Sequence, residues 1–282
     1  MEGQVRAAVP QAIGTTLGSH MRRSKSKKQQ LVCPYCLRAI VGRVENEHVF
    51  PASWYPDGTD PTIQRLTVPS CGPCNREFGK IEKRLWHTWG LCLSHKGDAN
   101  RGIAERVISS LNPSHAKLPR DAYFREKTRD SIVARSQVLD PGSTGAFPGL
   151  GTPQVSWGRS REGLWVKGAP GLRLDAKDVE AFTRKLVRGL FFLSSGQPLP
   201  SDCTIQTFVA SEESRPLWQK MIRQFKMRAQ GVPPGFVFWA KVVDGCPLCS
   251  LWFFLVWGCL FLQAATLPPV LSMPTAEGCC HS

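Results

Sequence analysis

The chain has 282 residues, with 36 Lys and Arg against 22 Asp and Glu, a formal charge of +14. At 42% apolar residues it can bury a sizeable core, which excludes wholesale disorder and low-complexity fibres. The charge calls for an anionic partner, nucleic acid in the simplest case and a membrane surface otherwise. The 11 cysteines are odd in number, and several fall in Cys-x-x-Cys pairs that suit metal better than a disulfide scaffold.

Charge is concentrated early: residues 1–130 hold 21 basic and 12 acidic side chains, residues 131–282 hold 15 and 10. The first 20 residues lack the apolar core of a signal peptide and are expected to be disordered. Gly18-Ser19-His20-Met21 reads as a cloning scar, or Met21 as the true start. Residues 1–30 form a basic arm in which Arg22, Arg23, Lys25, Lys27 and Lys28 supply five cations in seven positions. Such a block is a solvated arm or a grip on phosphates.

Residues 31–75 are short, Pro- and Gly-punctuated segments, which predict loops and a small hairpin. From Asn75 the pattern turns helical, with Phe78, Ile81, Leu85 and Trp86 at three- and four-residue spacing. Further helices are predicted near 101–111 and 120–136, forming a helical extension over 96–139. A Gly-, Pro- and Ser-rich linker spans 140–160. The region 161–282 then begins with a strand near 164–167 and an amphipathic helix over 175–194, with Asp175 as its N-cap and Gly196 past its end. A strand near 203–209, a helix near 216–227 and several late strands complete an α+β outline.

Cys33-Pro34-Tyr35-Cys36 and Cys71-Gly72-Pro73-Cys74 are two matched knuckles, each able to offer two thiolates to one tetrahedral ion. Together Cys33, Cys36, Cys71 and Cys74 predict a closed structural Zn²⁺ site, with no open position for catalysis. Between them runs Glu45-Asn46-Glu47-His48-Val49-Phe50-Pro51, and Asn75 follows the second knuckle directly.

This constellation, within 31–95, resembles the HNH endonuclease family, whose ββα-metal motif is commonly held by two such knuckles. The resemblance implies a small zinc-stapled ββα-metal module followed by an α+β region. It implies that His48 is the general base and that Glu47 and Asn75 hold a catalytic Mg²⁺ or Mn²⁺. Glu45 is the alternative carboxylate, ranked behind Glu47. The chemistry suits the residue types. A histidine titrates near neutrality, and a hard cation prefers carboxylate and amide oxygens, taking the rest of its shell from water and phosphate. Many family members carry an Asn nine residues before the last motif position; here Leu66 stands there, and Gln64 or a backbone group would have to substitute.

The implied activity is hydrolysis of phosphodiester bonds by a cytoplasmic enzyme, with double-stranded DNA as partner. Lys27, Lys28, Arg43, Arg76, Lys80, Lys83 and Arg84 are the candidate phosphate contacts. His87 reads as a packing or surface residue, and His95 and His115 have no recognisable partners. Two rivals stay open: a zinc-stabilised nucleic-acid binder that does not cut, and a protein anchored to a membrane through its C-terminal region. The last is motivated by the 32 uncharged residues between Asp244 and Glu277, and within them by Ser250–Leu267. Gly258, Gln263 and scattered aromatics favour core strands packed on the 175–194 helix instead. Cys246-Pro247-Leu248-Cys249 is a third pair with no fourth nearby, and reads as a turn with free thiols. Cys279 and Cys280 have no assignable role.

Overall fold

The computed structural model describes residues 30–63, 65–91, 100–134, 136–139, 169–172, 175–209, 215–232, 235–243, 245–257 and 260–268. The basic arm up to Lys28, Gln64, His95, the 140–160 linker, the strand expected at 164–167, Cys279 and Cys280 lie outside them.

A hairpin stands where the sequence predicts one. Strand β1 (Glu45–His48) pairs antiparallel with β2 (Thr67–Ser70), and Glu45 lies opposite Ser70. Helix α1 (Gly72–Leu91) begins two residues after β2 and buries Ile81, Leu85 and Trp89, one stripe of a 3.6-residue period. Helix α2 (Ile103–Leu111) buries Ile103, Ala104, Val107 and Leu111 at the same spacing. The two helices approach closely at Gly90, where an added Cβ would clash with Val107 Cγ2. Helix α3 (Pro119–Ala134) buries little beyond Ile132, and β3 (Ser136–Leu139) pairs with β4 (Ala169–Leu172).

Helix α4 (Ala176–Ser195) follows its local signals. The Asp175 side chain accepts from the Lys177 amide at 2.9 Å, and Gly196 closes the helix with φ +70° while donating to the Phe192 carbonyl. Val179, Phe182, Leu186 and Leu190 form its buried stripe.

Strands β5 (Thr204–Val209), β6 (Gln230–Val232), β7 (Phe236–Val243), β8 (Cys246–Val256) and β9 (Leu260–Leu267) make one antiparallel sheet. Their order is β5-β9-β8-β7-β6. Within the uncharged stretch, the described residues therefore form two adjacent interior strands, β8 and β9. Trp252, Phe254, Val256, Leu262 and Ala264 join the main core with α4, while Phe253 packs with Trp218, Met221 and Ile222 of α5 (Arg215–Gln224). Cover on both faces accounts for an apolar run without alternation. Among the described residues, no helix is long and apolar enough to cross a membrane.

The hairpin and the sheet share one core within the unit Val32–Ser282. Phe50, just after β1, stacks on Phe236 with ring centroids 4.6 Å apart. Trp54 contacts Phe182 and Trp257 at 4.7 and 4.9 Å, and Trp257 Nε1 donates to the Trp54 carbonyl at 2.7 Å. The fold is α+β, and residues of α4 and of the five-stranded sheet pack onto the loop that follows β1.

Candidate functional site

The two knuckles converge because of the hairpin between them. Register pairing of Glu45 with Ser70 closes the gap between Cys36 and Cys71, and the first turn of α1 then presents Cys74. The first knuckle is itself a tight turn: the Leu37 amide donates to the Cys33 carbonyl at 2.8 Å and the Cys33 amide to the Arg38 carbonyl at 2.9 Å. Leu37 takes the left-handed conformation, φ 61°, that the turn requires.

Ligand atoms of Cys33, Cys36, Cys71 and Cys74 all lie within 4.8 Å of one another. The Cys36 and Cys71 sulfurs are 3.7 Å apart, against about 3.8 Å for two thiolates of a tetrahedral zinc site with ordinary Zn–S bonds. The four cysteines can thus hold a metal such as zinc. The titration of Cys33, Cys36 and Cys74 reflects crowding. Burial pushes the Cys33 thiol up, and burial with hydrogen bonding to Cys71 pushes Cys74 up. At Cys36 burial works the same way, but hydrogen bonds from Arg38, Cys74 and Cys71 outweigh it and bring the thiol down to about 6. A bound dication would hold all four as thiolates.

Beside this cluster, β1 carries the remaining polar residues. Asn75, fixed by its amide donating to the Cys71 carbonyl at 3.1 Å, donates its side-chain Nδ2 to Glu45 Oε2. Gly72 leaves room for that carboxylate: a Cβ there would meet Glu45 Oε1 at 3.2 Å. Glu45 and Asn75 therefore meet at the positive end of α1.

Glu47 is placed differently. It is buried, and its Oε1 is 2.5 Å from Lys185 Nζ of α4. Lys185 also pairs with Glu82 of α1 and donates to the His48 carbonyl at 2.5 Å. Burial raises the Glu82 carboxyl to about 7 against the pull of Lys185. His48 ends β1 opposite Thr67, with a half-buried ring whose Nδ1 is enclosed. Burial and then the Arg65 guanidinium hold its pKa below the ordinary value. Val49, the next residue, donates its amide to the Leu66 carbonyl at 2.9 Å. The described structure thus brings together Glu45 with Asn75, and Glu47 with Lys185. Among the described residues, the four cysteines are the one converging group of three or more His, Cys, Asp or Glu side chains.

Comparison with protein-family models, with curated proteins and with solved structures gives no match.

Of the expected phosphate contacts, Arg43, Arg76, Lys80 and Lys83 are exposed, and the last three recur at four- and three-residue spacing along one side of α1. Arg84 is committed elsewhere: its Nε and Nη2 each reach an Asp178 oxygen at 2.6 Å, tying α1 to α4. His87 is buried and hydrogen-bonded to Ser110 Oγ at 3.2 Å. His115 lies 2.9 Å from Ser109 Oγ at the turn after α2. Lys185 was not singled out from sequence. The available signal was a charge three residues after Phe182 and one before Leu186, within the apolar stripe of α4.

Proposed function

We propose that the protein is a divalent-cation-dependent endonuclease of the HNH kind that hydrolyses phosphodiester bonds in DNA. The observation that carries this reading is the meeting of the Glu45 carboxylate with the Asn75 amide on a hairpin-and-helix unit pinned by four cysteines. Zinc is structural in this reading. The Glu45 carboxylate and, with its amide turned over, the Asn75 Oδ1 would be two hard oxygen donors at one helix start, which suits Mg²⁺ or Mn²⁺ with water and phosphate completing the shell. When bound, such an ion supplies charge stabilisation for the phosphorus centre and the leaving oxygen. The pairing of Glu47 with Lys185 favours Glu45 over Glu47 as the carboxylate ligand, a reversal of the ranking drawn from the motif.

His48 is the proposed general base. Its lowered pKa keeps the imidazole neutral at pH 7, so it can take a proton from water. Arg76, Lys80 and Lys83 offer exposed cations to the phosphate backbone alongside the first turns of α1.

The test incubates the full chain with supercoiled plasmid and Mn²⁺ or Mg²⁺, beside His48→Ala, Glu45→Ala and Glu47→Ala. Nicking is expected from the wild type, with His48→Ala slower by about 100-fold or more. Glu45→Ala is expected to demand far more cation, and Glu47→Ala to lose stability before it loses cation affinity. DNA binding without cutting under every cation would replace the enzyme with a zinc-stabilised binder.

A further inference from the structure

Helix α4 contributes a charged side chain that solvent does not reach. Lys185 is 0% exposed, and an ammonium so buried costs several kcal/mol unless its protons are met. An ammonium has three protons, and three acceptors surround this one: Glu47 of β1 at 2.5 Å, Glu82 of α1, and the His48 carbonyl at 2.5 Å. The Phe78 ring lies beside it, its centroid 5.6 Å from Nζ.

The third contact is informative because it is to backbone. The peptide unit between His48 and Val49 has one acceptor and one donor. The carbonyl accepts a hydrogen bond from Lys185, and the amide donates to the Leu66 carbonyl of the neighbouring segment at 2.9 Å. Both ends of that peptide are therefore held, one by α4 and one by the segment leading into β2. Fixing the peptide fixes the direction in which the His48 Cα–Cβ bond leaves the strand. The adjacent Glu47 pair holds the preceding side chain, so residues on both sides of His48 Cα are tied down.

We propose that Lys185 is a positioning residue for His48, which makes the C-terminal region part of the cutting apparatus. The proposal rests on the nuclease reading for its consequence in catalysis, while the ordering of His48 by Lys185 stands apart from it. Lys185 touches neither substrate nor water in this role; it acts through the backbone of the base. A helix 137 residues further along the chain thereby sets the geometry of the candidate site.

The experiment compares full-length wild type, Lys185→Met and Lys185→Arg for zinc content, thermal unfolding, kcat and KM on plasmid DNA with Mn²⁺, and the His48 ring signal in ¹H–¹³C NMR spectra. Should Lys185→Met not fold, Lys185→Arg carries the test. It keeps the charge, but its planar fork does not fit the same three acceptors. The expected result in a folded variant is full zinc content, KM within about twofold, kcat lower by about tenfold or more, and a His48 signal that is shifted or split. A folded variant that melts earlier yet keeps wild-type kcat would overturn the proposal and leave Lys185 a stabilising residue. If the wild type cuts no DNA with any cation, the nuclease reading falls separately. The His48 signal then decides alone: unchanged in a folded variant, it overturns the positioning role.

Discussion

Three Cys-x-x-Cys pairs of the same spacing meet two different fates. The pairs at 33 and 71 come together because β1 and β2 zip between them, with Glu45 against Ser70. The pair at 246 lies where the β7–β8 ladder slips. Val242 pairs with Ser250 and Val243 with Cys246, so residues 247–249 form a three-residue bulge. That bulge lets the two thiols meet each other: hydrogen bonding to Cys249 lowers Cys246. Among the described residues it brings no second pair to them. A knuckle is thus a local turn, whereas a metal site is a property of the strand pairing that presents two knuckles at once.

The contrast can be broken most forcefully at Cys71. Metal at a four-cysteine site supplies apparent folding energy on the order of 10 kcal/mol in small domains, comparable to the whole stability of a domain. Cys71→Ser is therefore expected to lose zinc and unfold the hairpin and the start of α1, read by elemental analysis and circular dichroism. Wild-type protein without zinc would sink the assignment.

Phe50→Ala asks whether the hairpin depends on the sheet as well as on metal. Phe50 is almost wholly buried against Phe236, and its removal is expected to cost about 3–5 kcal/mol with zinc retained. A change below about 1 kcal/mol in urea unfolding would mean that the two regions are not coupled through this contact.

A smaller effect is expected from acid. Burial, helped by Lys83, holds His87 at about 4 in the folded protein, against about 6.5 in the unfolded chain. Above pH 6.5 both states are neutral and stability is unaffected. As pH falls from 6.5 to 4 the unfolded chain takes the proton first, so stability declines by on the order of 3 kcal/mol. His87→Gln is expected to flatten that part of the curve, and an unchanged slope would show that other groups govern it.

The smallest effect belongs to the third pair. Cys246→Ser and Cys249→Ser are expected to leave zinc content unchanged and the melting temperature within about 2 °C. Loss of zinc from either variant would erase the distinction between the pairs.

How much was legible follows from the range of each interaction. Helix α4 could be placed from its Asp175 cap, its apolar stripe and Gly196, all within one element. The knuckles, the hairpin between them and α1 likewise followed from spacing over a short segment. The roles within that segment did not follow. Glu45 and Glu47 sit two residues apart on one strand and look alike in sequence, yet one meets Asn75 and the other Lys185. Arg84 looked like its neighbours Lys80 and Lys83 until Asp178 of α4 claimed it.

The amino-acid sequence alone determined the charge balance, the paired thiols and the helices, because these depend on composition, spacing and nearest-neighbour backbone geometry. Tertiary structure alone decided that Glu45 and not Glu47 meets Asn75, that Asp178 takes Arg84, and that a lysine far along the chain donates to the His48 carbonyl. Each of these is a contact between segments that sequence separation leaves unspecified, and burial makes the choice of partner costly to change. The apolar run is covered on both faces, and the buried ammonium has an acceptor for each of its protons.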